Sequence, residues 1–150
     1  MKDKRLKEVL EEHSKWLSSG KQEGCRANLS GADLSGAKEI PYIRMTCPEK
    51  GSFIGFKKAN NYIVELEISE DSRRCSATSY KCRCDKAKVL SITDLEGDEC
   101  DFNSVSSDFD NDFVYKVGEI VEEPNFNEDR WDECSEGIHF FINRQEAVDY

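Results

Sequence analysis

The run SFIGFKKANNYIVELEI, Ser52 to Ile68, constrains the fold more tightly than any other part of the chain. Two segments rich in β-branched and aromatic residues flank Asn60-Asn61, a pair that suits a two-residue hairpin turn. In the second segment Tyr62, Val64, Leu66 and Ile68 alternate with more polar positions, as a half-buried strand requires. A chain with this hairpin must build a sheet around it. KAKVLSI (Lys86 to Ile92) reads as a further strand, FVYKVGEIV as a strand pair or one strand bulged at Gly118, and GIHFFI as a short, central apolar strand. SEDSRR is a loop. Thr93 to Asp112 is a long exposed connection rich in Asp, Asn and Ser, and EEPNFNEDRWDECSE is a loop with one turn of helix. Asn143, with Glu146 three residues on, has the pattern that caps a short closing helix.

Upstream of the sheet the texture differs. KDKRLKEVLEEHSKWLSSG sets Leu6, Val9, Leu10, His13 and Leu17 on one stripe, an amphipathic helix with Asp3 as N-cap and Gly20 as the stop. His13, alone on that stripe, reads as a packed, hydrogen-bonded ring rather than a ligand. Then ANLSGADLSGA, Ala27 to Ala37, states a five-residue unit twice, and the next unit, Ala37-Lys38-Glu39-Ile40-Pro41, loses it. A period of five fits neither a helix face nor an alternating strand. It fits a coil that turns a corner every unit and buries its Ala and Leu. Two units cannot stack into an independent solenoid. The stretch is expected to form one irregular coil, with Leu29 and Leu34 packed on the body and Asn28, Asp33 and the serines outward. The sequence thus predicts an α+β chain. Residues 1–41 form the helix and the partial repeat, and residues 42–150 form a mostly antiparallel β-sheet body with a short C-terminal helix.

The repeat resembles the pentapeptide-repeat family, whose members stack such units into a four-sided β-helix. The body resembles an uncharacterised C-terminal domain of some pentapeptide-repeat proteins from phages and low-GC Gram-positive bacteria. The likeness lies in CPEKGSFIGFKKA, SRRCSATSYKCRCDKAKVL, FVYKVGEIV and ECSEGIHFFINRQEAVDY, and covers about Cys47 to Tyr150. It implies a phage or mobile-element origin and an intracellular protein, and it implies no activity.

The formal charge of -10, from 31 acidic against 21 basic residues, opposes direct nucleic-acid binding and attachment to anionic membranes. It favours a partner with a basic surface, which an acidic surface steers towards itself. Met1 to Leu17 holds no apolar signal core, and no apolar run approaches the length of a bilayer span. The expected compartment is therefore the bacterial cytoplasm, with the seven cysteines as reduced thiols.

Four places could carry chemistry. Cys75, Cys82 and Cys84, completed by Cys47 or Cys134, could hold zinc, since a CxC in a strand puts two thiols on one face. There is no second tight pair, and cysteines of this spacing suit a core better than a metal site, so thiols without a metal cofactor are expected. Asp108, Asp110, Asp112 and Glu119 copy part of a calcium-loop spacing, but Phe113 stands where the loop needs glycine. Gly137-Ile138-His139-Phe140-Phe141, with Ala147 and Tyr150, resembles the Gly-Ile-Tyr-Phe stretch of ADP-ribosyltransferases, and Gly55-Phe56 would take the place of that family's first motif. That resemblance implies a nucleotide pocket bordered by Gly55, Phe56, Gly137, His139 and Tyr150. His139 replaces the family's stacking tyrosine, however, and no later strand supplies a catalytic glutamate. Finally, Cys134 and His139 would form a nucleophile–base pair only with a third group to orient the ring.

The leading expectation is a non-catalytic acidic binding protein that occupies a basic site on a host protein. An inhibitor of host defence or of nucleic-acid-handling machinery, of anti-CRISPR type, fits that description. Asp98, Glu99, Asp101, Asp108, Asp110 and Asp112 form its expected contact cluster. A reduced transferase-like nucleotide binder and a small structural zinc module are the alternatives.

Overall fold

The computed structural model describes residues 2–29, 31–40 and 42–150, residues 2–4 by backbone alone. The chain forms two compact units, Met1–Ser30 and Gly31–Tyr150. In the first, helix α1 (Lys2–Ser18) begins before Asp3, which lies within the first turn rather than capping it. Leu6, Val9 and His13 are half-buried, while Leu10 and Leu17 are exposed. The amide of Ala27 donates to His13 Nδ1 at 3.2 Å, and the ring stacks on Trp16. His13 is the packed, hydrogen-bonded residue that its position on the stripe predicts.

The boundary between the units falls inside the repeat. Gly31 N–H donates to the Thr78 carbonyl, the Thr78 hydroxyl to the Ala32 carbonyl, and the Ser35 hydroxyl to the Trp131 carbonyl. Those bonds tie the second copy into the body, where Leu34 is only 4% exposed. Leu29, in the first unit, is half-buried, and Asn28, Asp33 and Ser35 are exposed. Ser30 lies outside the described residues. The described part of Gly31 to Ala37 forms turns and no strand.

Along the second unit the strands are β1 (Phe53–Ala59), β2 (Tyr62–Ile68), β3 (Arg74–Ser76), β4 (Cys82–Cys84), β5 (Lys86–Thr93), β6 (Ser104–Ser106), β7 (Val114–Lys116), β8 (Ile120–Glu122) and β9 (Ile138–Phe140), before helix α2 (Arg144–Asp149). Asn60 and Asn61 close the β1–β2 hairpin with φ of 48° and 62°, and Ala59 pairs with Tyr62. The sheets run β1-β2-β5-β8, β3-β4-β9 and β6-β7, antiparallel throughout. The architecture is α+β, as the sequence indicates.

Val64, Leu66, Ile68, Val89, Ile138 and Phe140 form the main core with Cys82 and Cys84. On the other face of the hairpin, Ile63 packs with Phe141 and with Ala147 of α2. Asn143 caps α2 by accepting the Gln145 amide on its side-chain oxygen at 2.8 Å.

Further expectations need correction. EEPNFNEDRWDECSE forms turns and no helix. GIHFFI is not central in its sheet: β9 is an edge strand on β4, and at Phe141 the chain changes partner and bonds both ways to Phe56 at 2.7 Å. FVYKVGEIV forms two strands that do not pair with each other, because the turn at Gly118 delivers β7 to β6 and β8 to β5. The acidic stretch from Thr93 to Asp112 is not one open connection, because Val105 is buried and anchors β6 in its middle.

Candidate functional site

The strand phases place the site. Residues 53, 55, 57 and 59 of β1 share a face with residues 68, 66, 64 and 62 of β2, so Lys57 stands opposite the fully buried Val64. A lysine on that face needs somewhere for its charge to go. It opens into a cavity of about 460 Å³ lined by Lys57, Lys81, Tyr115, Cys134, Gly137, His139 and Tyr150, with Ser107, Phe109, Asp110, Phe113, Glu123, Ser135, Glu136 and Ile138 completing the walls.

Lys57 Nζ donates to the His139 carbonyl at 3.3 Å and stands 5.8 Å from the ring centroid of Tyr115. Burial pushes its pKa down to about 8, helped by the charge of Lys81 and opposed by Asp108 and Cys84. His139 is pushed down to about 4, first by burial and then by the charges of Lys57, Lys81 and Arg83. Its Nε2 lies 3.0 Å from the Ser135 carbonyl, which fixes that nitrogen as the donor and leaves Nδ1 as the acceptor of a neutral ring. Burial also raises the Tyr115 phenol above its ordinary range. Lys81 Nζ donates to Cys134 Sγ at 3.8 Å and stands 5.6 Å from the Tyr150 ring. Titratable groups perturbed by burial and gathered in one cavity are the usual mark of a functional site.

The wall from Asn127 to Gly137 has little secondary structure and is held by Arg83. That guanidinium donates to the carbonyls of Asn127 and Glu136 through Nη1 and of Asp129 through Nη2, at 2.8–2.9 Å. Gly137 has φ of 154°, and a Cβ there would lie 3.2 Å from both Arg83 Cβ and Phe126 Cδ2. A side chain there would be strained by the backbone and crowded against both neighbours, which favours glycine where the chain enters β9.

Residues 43–147 match a family model described as a family of unknown function, DUF5758. The chain belongs to that family. No curated protein and no solved structure matches it. The DUF5758 segment contains every residue lining the cavity except Tyr150.

The structure brings together part of the pocket implied by the transferase resemblance. Gly137, His139 and Tyr150 line the cavity, and Gly55 and Phe56 do not. Gly55 is a packing glycine, since a Cβ there would meet Phe140 Cδ2 at 2.6 Å, and Phe56 packs against the cluster under α2. Lys57 and Lys81 were missed by sequence reasoning. For Lys57 the signal was present: a two-residue turn fixes the register, and that register puts it on the inward face.

The zinc alternative fails on geometry. Cys75 pairs with Arg83, whereas Cys82 and Cys84 pair with Ser76 and Arg74, so Cys75 faces the opposite side of the sheet. Burial pushes Cys84 up to about 12 and raises Cys75, while Cys82 is raised by its hydrogen bond with Cys47 and then by burial. These are protonated core thiols, and all seven cysteines are free. Among the described residues no group of three or more His, Cys, Asp or Glu could hold a metal ion. That includes the calcium-like spacing, whose acids are spent locally: Asp108 accepts from Asn60 N–H, Asp110 from Asp112 N–H, and Glu119 from Lys116.

Cys134 and His139 share the cavity, but Cys134 bonds Lys81 and His139 bonds Ser135, so the pair is not assembled. Of the expected contact cluster, Asp98, Glu99, Asp101, Asp108, Asp110 and Asp112 are all exposed, but β6 divides them into two loops. Among the described residues no helix is long and apolar enough to cross a membrane.

Proposed function

We propose that the body binds a small anionic ligand carrying a planar ring, of the nucleoside monophosphate class. The observation behind this reading is the pair of ammonium groups, Lys57 and Lys81, facing one cavity of a protein whose net charge is -10. Among the described residues neither lysine has a carboxylate within ion-pair distance. Asp110, Glu123 and Glu136 also line the cavity, but none lies within 4.0 Å of either ammonium. A partly buried cation without a contacting counter-charge is costly, and a bound anion would supply that contact. Tyr150, 64% exposed, and Phe109, 88% exposed, offer ring faces at the mouth. Binding of this kind needs no catalytic carboxylate, and it supports the nucleotide-binding alternative without transferase chemistry.

Calorimetric titration with adenosine 5′-monophosphate and with adenosine tests the reading. The monophosphate should bind at least tenfold more tightly than the nucleoside, and Lys81→Met should remove most of that difference. Equal affinities, or no binding by either, would overturn it.

A second reading keeps a protein partner with a basic surface. It is favoured by the exposed Phe109 between the exposed acids Asp108 and Asp110, an apolar anchor in a charged setting. Capture of such a partner should weaken with added salt and fail in Phe109→Ala. Capture unaffected by either change would remove this reading.

A further inference from the structure

Lys57 holds more reactive potential than anion binding requires. Its side chain is on the inward face of β1 and lines the cavity. The one hydrogen bond to the His139 carbonyl leaves the other ammonium protons without a protein acceptor among the described residues. The groups around it are the ring of Tyr115, the charges of Lys81 and Asp108, the Cys84 thiol and the neutral ring of His139, which adds no competing positive charge, with Asp110, Glu123 and Glu136 elsewhere in the cavity lining. With a pKa of about 8, roughly a quarter of the amine is unprotonated at pH 7.5, against about one in a thousand for an exposed lysine. Desolvation in a pocket is an established way to activate a lysine as a nucleophile.

We infer that Lys57 captures an anionic aldehyde or ketone in this cavity as an imine. The inference rests on the reading of the cavity as an anion site, and it names the reactive group that the ligand carries. The Nζ lone pair attacks the carbonyl carbon and forms the C–N bond, while one Nζ proton passes to the carbonyl oxygen to give a carbinolamine. The hydroxyl then takes a proton from solvent and leaves as water, Nζ releases its remaining proton to solvent, and C=N forms. One amine and one carbonyl give one imine and one water, with no oxidant or reductant. The Lys81 ammonium is placed to hold the anionic group, and the rings of Tyr150 and Phe113 border the rest.

Two labelling experiments on the whole protein at pH 7.5, read lysine by lysine by peptide mass spectrometry, test this. In the first, limiting formaldehyde with cyanoborohydride should methylate Lys57 ahead of the exposed Lys38, Lys50 and Lys88. In the second, equimolar pyridoxal 5′-phosphate followed by borohydride should leave one adduct, at Lys57. That adduct should be lost in Lys57→Arg and reduced severalfold in Lys81→Met. The formaldehyde arm uses the unaltered protein, so it does not depend on how the variants fold. Labelling spread evenly over the exposed lysines in either arm overturns the imine, even where adenosine monophosphate binds. Selective labelling of Lys57 in both arms supports it, even where adenosine monophosphate fails to bind and the nucleotide class falls.

Discussion

The ammonium of Lys57 donates to the main-chain carbonyl of His139 at 3.3 Å, which joins the first strand of the hairpin to β9 at the floor of the cavity. The bond does not make the lysine comfortable. Its pKa is lowered from 10.5 to about 8, so the unfolded chain binds this proton more tightly than the folded one. The stability cost is fully present below pH 8, shrinks as the pH rises to 10.5 and is gone above it. Lys57→Met should therefore stabilise the protein at pH 7, by up to about 3 kcal/mol at 1.36 kcal/mol per pKa unit. It should also abolish Lys57-dependent labelling. Urea unfolding of both proteins at pH 7 and pH 10 checks this, and the gap should narrow at the higher pH. A variant less stable than its parent at pH 7 would mean that the bond to His139 outweighs the burial.

The pKa of the His139 ring is shifted the same way as that of Lys57, and its effect on stability falls at lower pH. Burial, then Lys57, Lys81 and Arg83, hold its folded pKa at about 4 against 6.5, outweighing the bond to Ser135. Its contribution is fully present above pH 6.5 and is lost as the pH falls through 4. Between those limits the protein should lose roughly 3 kcal/mol on this account. His139→Gln keeps a donor for the Ser135 carbonyl and removes the titration. Unfolding at pH 7 and pH 4.5 should show a smaller loss for the variant than for the parent. Equal losses would mean that the ring titrates as an exposed histidine does.

Asp108 belongs to the hairpin as much as to any partner. Its carboxylate accepts from Asn60 N–H at 2.8 Å, and the Asn60 side chain donates to Ser106 O and Oγ at 3.1 Å. Asp108→Ala should cost about 1.5 kcal/mol, the low end for a hydrogen bond to a charged group. Asp98→Ala, at an exposed side chain, should stay within about 0.5 kcal/mol. Denaturant midpoints decide between them. Equal effects would return Asp108 to the status of a solvated surface acid.

The hairpin, α1, the strand at Lys86 and the cap at Asn143 were legible because each rests on a local signal: period, turn chemistry or a capping side chain. The inward lysine was missed although its signal is local, since a two-residue turn sets Lys57 against Val64. What the sequence hid was non-local. Nothing near Val105 announces that one buried valine interrupts an acidic stretch, because its partner strand lies ten residues on. β3 and β4 are three residues long, too short for a period to register, and their register alone separates Cys75 from Cys82 and Cys84. GIHFFI is apolar enough for a central strand, yet its apolar faces are covered by two sheets in succession as Phe141 turns to Phe56.

Arg83 sits in the middle of that hidden part, and it carries the last prediction. It is 2% exposed on the face of β4 that points away from the core thiols, and no carboxylate pairs with it among the described residues. Its fork instead gathers the carbonyls of Asn127, Asp129 and Glu136, and its guanidinium carbon lies 5.4 Å from the Phe126 ring centroid. A planar guanidinium can reach three carbonyls at fixed angles, which a single ammonium cannot. The segment it holds presents Cys134, Ser135, Glu136 and Gly137 to the cavity. Arg83→Met keeps most of the stem but leaves those carbonyls to find water, at about 1–3 kcal/mol for each that stays buried, with less than full additivity. Arg83→Lys should recover part of the loss. Amide exchange separates a latch from an ordinary core residue. In Arg83→Met the amides from Asn127 to His139 should exchange faster than the drop in global stability explains, with those of β1 and β2 tracking it. Adenosine monophosphate should then bind more weakly, although no contacting side chain has changed. Uniform acceleration across the body, with affinity falling only as global stability does, would reduce Arg83 to a packing residue.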